Sequence, residues 1–262
     1  MDFQKYRIVL PNMVTSLSIL AGLFAIFFTF NEPANGYFTL SCWLIIYATM
    51  LDGIDGKVAR LTNSSSEFGV QYDSMADVIT FGVAATVVIF KQIFINHISH
   101  NAAFYVFPVF FLICGAVRLA RFNCTASPKG KKGFIGLPIP VAAGAIVSLF
   151  LFFDGWDMFI VPQFGVPILP EEVKLRLTIG YILLVSILMV SHVKYDITFH
   201  FFLHDSSKHK VRTAINLLIL ALAFWHPGFG FYAVSSFYII YGITRAIFGQ
   251  GDPEEKVLSV PQ

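Results

Sequence analysis

The apolar residues of this chain do not alternate with polar ones; they come in long unbroken runs. Runs near the ~20 residues that a helix needs to cross a hydrocarbon core recur at about 13–30, 36–54, 73–95, 101–121, 137–153, 173–191, 212–226 and 229–248. They predict eight membrane-spanning helices. Between the last two stands HPGFG, at 226–230, which reads as a tight external turn or a kink. The start, MDFQKYRIVLPN, is short and mixed, and no small-residue cleavage pattern ends the first run. The first span is therefore expected to stay as an anchor. The tail from Gly249 is polar and is expected to be unstructured. No repeat or low-complexity linker is visible.

Composition strengthens this picture. The chain is 56% hydrophobic and 13% charged, against about 25% charged residues in ordinary soluble domains. So few charges cannot cover the surface of a water-soluble protein of 262 residues, and the fold class is all-α integral membrane. Nothing suggests a nucleic-acid partner. The cysteines, Cys42, Cys114 and Cys124, form no CxxC pair, and two of them lie inside apolar runs as small hydrophobes. The net charge of +2 matters less than its distribution. Lys5, Arg7, Lys57, Arg60, Arg118, Arg121, Lys129, Lys131, Lys132, Lys194, Lys208, Lys210, Arg212, Arg245 and Lys256 collect on one side of the predicted spans. Only Lys91, Lys174 and Arg176 fall on the other. The positive-inside bias puts the first side, with both termini, in the cytoplasm. A cell membrane, the inner membrane of a bacterium, is the expected location.

One stretch breaks the apolar pattern. Residues 52–77 read DGIDGKVARLTNSSSEFGVQYDSMAD, with Asp52, Asp55, Asp73 and Asp77 between two of the most apolar runs. A carboxylate near hydrocarbon is costly by at least a few kcal/mol, so four call for an explanation. Asp52 and Asp55 lie three apart, about 60° around a helix axis and on one face. Asp73 and Asp77 lie four apart and share a face too. The short turn-forming link LTNSSSEFG predicts antiparallel neighbours whose aspartate faces converge. Converging carboxylates repel unless cations sit among them, and hard oxygen ligands suit two divalent cations, Mg²⁺ or Mn²⁺. Paired metals serve phosphoryl chemistry. Gly56 and Ala59 leave the helix surface bare for a ligand, and Arg60 offers a fork to phosphate oxygens. Together these residues point to a diphosphate substrate. A cation transporter is the competing reading, but it would tend to hold its charges near the bilayer midplane.

The run D52-x-x-D55-G56-x-x-A59-R60, eight residues, G69-x-x-x-D73-x-x-x-D77 resembles the motif of the CDP-alcohol phosphotransferases, with every position filled. That resemblance implies a six-helix membrane core, to which about two C-terminal helices are added here. It implies transfer of a phosphatidyl-type group from a CDP-linked lipid to an alcohol, with release of CMP. It also implies roles: Asp52, Asp55, Asp73 and Asp77 as metal ligands, with Asp77 also the base toward the acceptor hydroxyl. Gly56, Ala59, Arg60 and Gly69 would border the CDP moiety. Spacing alone does not separate Asp77 from Asp73 as the base. Asn12 and Thr15, in LPNMVTSLS at the first span, are candidates for the nucleotide side, or simple helix caps. A homodimer is expected from the resemblance.

The acceptor is read elsewhere. GAVRLARFN, at 115–123, followed by FIGLPIPVAAG and later VSHVKY, at 190–195, is similar to the phosphatidylserine-forming branch of that family. The implied substrates are CDP-diacylglycerol and L-serine. Arg118, Arg121 and Asn123 are the candidates for holding the serine carboxylate, although arginines at this end also satisfy the positive-inside rule without a substrate. Inositol phosphate, glycerol phosphate or choline are the alternative acceptors. His192, His200, His204 and His209 include one i, i+4 pair, but the mixed loop around them reads better as an interfacial segment than as a metal site. The resulting layout is a juxtamembrane segment (1–12), a catalytic core (13–195), a loop with two further helices (196–248) and a tail (249–262).

Overall fold

A computed structural model describes residues 9–31, 36–61, 66–96, 102–125, 134–164, 169–195 and 227–248. The elements are α1 (Val9–Thr29), α2 (Tyr37–Leu61) and α3 (Glu67–Asp77). The last runs through a π-helical segment, Val78–Ala84, into α4 (Ala85–Asn96). A 3₁₀ turn at Ala102–Tyr105 leads into α5 (Val106–Thr125), then β1 (Phe134–Ile135) and α6 (Ile139–Gly155). A second π segment, Trp156–Ile160, joins α6 to α7 (Val161–Phe164). α8 (Glu171–Val190), β2 (Lys194–Tyr195) and α9 (Pro227–Ile247) complete the order.

Six of the described helical stretches are long and apolar enough to cross a membrane: Val9–Thr29, Tyr37–Gly56, Glu67–Ile93, Val106–Cys124, Ile139–Gln163 and Glu171–Val190. They match the first six expected spans. The span expected at 212–226 lies outside the described residues. The one expected at 229–248 is α9, which has the length, but its serines, tyrosines and glycines keep it below the apolarity of the other six. HPGFG resolves at its described end into a helix start at Pro227, where a missing N–H costs nothing. Two helices also run further than the apolar pattern suggests. α2 continues to Leu61, so the whole of DGIDGKVAR is helical, and α3 begins at Glu67, six residues before the apolar run. Ser66 caps α3 by accepting from the Gly69 backbone N–H at 3.0 Å, which supplies the early start.

α6 is apolar all round and sits at the centre, with Ile139, Ala142, Ala145, Ile146, Val147 and Leu151 among its buried side chains. α2, α8 and α9 pack on it. Ser148 of α6 lies 3.3 Å from Ser235 of α9, a polar contact between apolar helices. Leu20, Phe27, Ile113, Leu177 and Ile187 project outward on the rim, as lipid-facing residues do. α1 packs along α2 and against the π segment. There a Cβ on Gly22 would come within 3.0 Å of Thr80, and Thr80 donates to the Ser18 carbonyl at 3.2 Å. At the end of the bundle away from the aspartates, buried Lys174 pairs with Asp157 (2.7 Å) and Glu171 (2.8 Å).

Candidate active site

The two aspartate faces meet. Asp52 and Asp55 near the end of α2, and Asp73 on α3, each offer an oxygen, and these oxygens all lie within 4.8 Å of one another. Asp77, the last residue of α3, brings its carboxyl group beside that of Asp52. Asp55 and Asp77 are buried, and Asp52 and Asp73 partly so. The π segment starts one residue after Asp77. Its wider turn lets α3 aim Asp77 at α2 while α4 keeps an apolar face toward the core.

The arrangement fits divalent cations. Oδ1 of Asp73 and Oδ1 of Asp77 are buried with no hydrogen-bond partner among the described residues, and buried acceptors left empty are costly. Two carboxylates in contact require a positive charge or a proton between them. Hard oxygen donors in this number suit Mg²⁺ or Mn²⁺.

The residues around the carboxylates follow from helix contacts. Thr15 of α1 donates to Asp55 Oδ2 at 3.1 Å, which orients that carboxylate. Asn12, one turn earlier, faces Gly69: a Cβ on Gly69 would lie 3.6 Å from Asn12 Oδ1 and 3.2 Å from Ser66 Oγ. The first span and the start of α3 thus bring together Asn12, Thr15 and Gly69, three residues expected on the nucleotide side. A Cβ on Gly53 or Gly56 would meet nothing within 4 Å, so the α2 surface there is open. Ala59 and Arg60 lie on the last turns of α2, and their side chains are outside the described residues.

The three acceptor-side candidates separate. Arg118 of α5 is 4% exposed, within electrostatic reach of Asp77 and Asp52, and its guanidinium lies 5.3 Å from the centre of the Phe122 ring. Arg121 is committed elsewhere. Its Nη1 donates to the Val190 carbonyl at 2.9 Å, and its Nη2 donates to Ile135 and Ser191 at 3.1 Å and to Met189 at 3.5 Å. Asn123 donates to Ser74 Oγ at 3.1 Å, beside Asp73.

Arg121 belongs to a clasp built from the three acceptor-side motifs. β1 pairs antiparallel with β2, Phe134 opposite Tyr195 and Ile135 opposite Lys194. Gly136 donates to the Val193 carbonyl at 2.8 Å and Leu137 to that of Leu188 at 3.1 Å. Gly136 has φ +81°, and a Cβ there would collide with the Met189 carbonyl, so the turn requires glycine. Pro138 then starts α6. Of the four histidines in the 192–209 stretch, His192 falls within the described residues, exposed in this clasp; His200, His204 and His209 lie outside them.

Sequence reasoning missed Ser16 and Tyr72, whose hydroxyls lie 2.8 Å apart between α1 and α3. It also missed Ser74, Tyr195 and Tyr238. Tyr72 and Ser74 flank Asp73 in sequence, but a lone serine or tyrosine carries no spacing signal, and only the packing of helices shows its partner.

Fold and site together fit an integral membrane enzyme with a cluster of carboxylates that could hold a cation at one end of its helix bundle. Residues 8–188 match the profile of the CDP-alcohol phosphatidyltransferases, and the chain belongs to that family. It is 37% identical over 244 residues to a Helicobacter pylori (strain J99) protein named CDP-diacylglycerol–serine O-phosphatidyltransferase, covering 91% of each chain. A Methanocaldococcus jannaschii protein of the same name is 37% identical over 142 residues, 54% of this chain and 60% of that one. The archaetidylserine synthase of Methanothermobacter thermautotrophicus is 36% identical over 150 residues, 55% of this chain and 58% of that one.

Proposed function

We propose that the protein transfers a phosphatidyl group from CDP-diacylglycerol to the hydroxyl of L-serine, giving phosphatidylserine and CMP. The observation that carries this reading is the convergence of four carboxylates in a chain that is similar along 91% of its length to a relative so named. Asp52, Asp55, Asp73 and Asp77 hold two divalent cations, Mg²⁺ or Mn²⁺. When bound, these neutralise the diphosphate and stabilise charge on the attacking and leaving oxygens.

The chain's own residues bind, orient and move the proton. Asn12, Thr15, Gly56, Ala59, Arg60 and Gly69 border the CDP moiety: the glycines and alanine admit it to the α2 and α3 backbones, and Arg60 meets its phosphates. Arg118 holds the serine carboxylate, supported by its burial and its place beside Asp77 and Asp52. Arg121 and Asn123 serve the acceptor by fixing the clasp and Ser74 around it. Asp77 takes the hydroxyl proton as the serine oxygen bonds to the lipid-bearing phosphorus. The bond from that phosphorus to the CMP oxygen breaks, and CMP leaves with the electron pair. The site faces the cytoplasm of a bacterial inner membrane, and the protein works as a homodimer.

Purified protein supplied with labelled CDP-diacylglycerol and, separately, serine, inositol phosphate, glycerol phosphate or choline tests the reading. Labelled phosphatidylserine is expected with serine only. Product from another alcohol, with none from serine, refutes the acceptor.

A further inference from the structure

A second group of charges lies at the opposite end of the bundle, where α2 and α8 begin and α4 and α6 end. A cavity of about 410 Å³ opens there, a size that takes a small organic molecule. Asp154 and Asp157, three apart where α6 passes into its π segment, line it with Glu171 and Lys174 from the start of α8. Three carboxylates against one ammonium leave it anionic. Lys174, 8% exposed, occupies two of them: Nζ donates to Asp157 at 2.7 Å and to Glu171 at 2.8 Å. The same Nζ is 6.0 Å from the centre of the Phe153 ring. The cavity thus already holds one ammonium between carboxylates and an aromatic face. Asp154 differs. It accepts from Thr39 Oγ1 at 3.0 Å and enters no ion pair among the described residues. Phe38 and Phe150, with ring centres 6.2 Å apart, line the same space. Thr178, 5% exposed, also lines it, and its hydroxyl has no hydrogen-bond partner among the described residues. A hydroxyl so buried is costly to leave unpaired.

The lining selects the ligand. A divalent cation calls for several converging oxygens and gains nothing from phenyl rings. Asp154, Asp157 and Glu171 do not converge as Asp52, Asp55 and Asp73 do. An organic ammonium uses both features, a charge-assisted hydrogen bond to a carboxylate and the negative faces of aromatic rings. We propose that this cavity is a second binding site, separate from the aspartate cluster, for an organic ammonium group, of a free amine or of a lipid headgroup. Asp154 takes its charge, Phe38 packs on its carbon atoms, and Thr178 meets its remaining N–H or a neighbouring polar atom. The inference stands apart from the reading of serine as the acceptor.

The full-length protein in phosphatidylglycerol nanodiscs, with Mg²⁺ saturating, is titrated with ethylammonium, and binding is followed by ligand-observed NMR. Ethylammonium has no hydroxyl and cannot serve as an acceptor. Saturable binding is expected. Asp154→Asn should raise its Kd at least about tenfold, and Phe38→Leu and Thr178→Val about threefold each. Asp73→Asn, at the other end, should leave it at the wild-type value. Should Asp154→Asn not fold, the other two variants carry the test. Absence of saturable binding overturns the proposal. So does a Kd within twofold of wild type in the cavity variants, or displacement by Na⁺ at equal concentration, which marks a nonspecific acidic patch. A Kd raised by Asp73→Asn instead puts the ammonium at the aspartate cluster and overturns it too. Nanodiscs that include phosphatidylethanolamine separate the two sources. A higher ethylammonium Kd there, in proteins that retain Asp154, assigns the site to the lipid headgroup; an unaltered Kd assigns it to free amines, and either upholds the site.

Discussion

Arg121 has two incompatible readings, substrate ligand and clasp, and one substitution separates them. Arg121→Ala removes the donors to Ile135, Met189, Val190 and Ser191 at the end of α8. A hydrogen bond to a charged group contributes about 1.5–3 kcal/mol, and the more exposed carbonyls regain water, so the net loss is about 3 kcal/mol. At roughly 2–4 °C per kcal/mol for a chain of this size, the Tm falls by about 10 °C. Arg121→Lys recovers less than half of this, since a single ammonium cannot span carbonyls that a planar fork reaches together. Gly136→Ala, which touches no charge, destabilises through the same clasp by about 2 kcal/mol or more, because its φ of +81° and the Met189 carbonyl exclude a Cβ. Thermal unfolding in detergent, followed by intrinsic fluorescence, measures all three. An Arg121→Ala protein that melts with the wild type but shows a raised serine KM refutes the clasp and makes Arg121 a ligand.

Thr15→Val removes the hydroxyl that orients Asp55 and is expected to weaken Mn²⁺ binding, followed by calorimetry, about tenfold; unchanged affinity refutes that role. Asp73→Asn keeps the shape of the side chain but removes its charge from the three-carboxylate cluster. It should raise the cation concentration for half-maximal CMP release by at least about tenfold, and an unaltered requirement removes Asp73 from the site. Lys174→Met breaks two ion pairs with partly exposed partners at the other end of the bundle. It should cost about 1 kcal/mol of stability and leave serine and CDP-diacylglycerol KM values unchanged; a shift in either refutes the separation of the two ends.

The spans and the aspartate cluster were legible because each leaves a periodic mark. Six apolar runs became six helices of membrane-crossing length at nearly the expected places. The three-residue step in DGIDG placed the oxygens of Asp52 and Asp55 within 4.8 Å of one from Asp73 across two helices, and the four-residue step in DSMAD brought Asp77 beside Asp52. Helix ends were less legible. The apolar pattern stops at the membrane boundary, whereas hydrogen bonding and the Ser66 cap carry α2 and α3 beyond it. The π segment after Asp77 left no mark at all, since VITFGVA is as apolar as an ordinary turn of helix.

The acceptor side was harder to read because one motif does two jobs. In RLARFN, Arg118 and Arg121 stand three apart and obey the same charge rule, so the sequence treats them alike. Packing separates them: Arg118 turns toward Asp52 and Asp77, while Arg121 turns toward the carbonyls that end α8. GLPIP and VSHVKY complete the second arrangement, through the left-handed turn at Gly136 and the pairing of Phe134 with Tyr195. Yet the clasp is not remote from the chemistry. Arg121, which holds it, stands one turn after Arg118 on α5, and the clasp's last residue, Tyr195, seats its ring on Gly242 of α9. GLPIP and VSHVKY, 59 and 113 residues after Asp77 in sequence, are thus tied through Arg121 to the helix that carries Arg118. A substitution in the clasp, at Gly136 as much as at Arg121, should therefore lower the Tm and move the serine KM before it moves the KM for CDP-diacylglycerol.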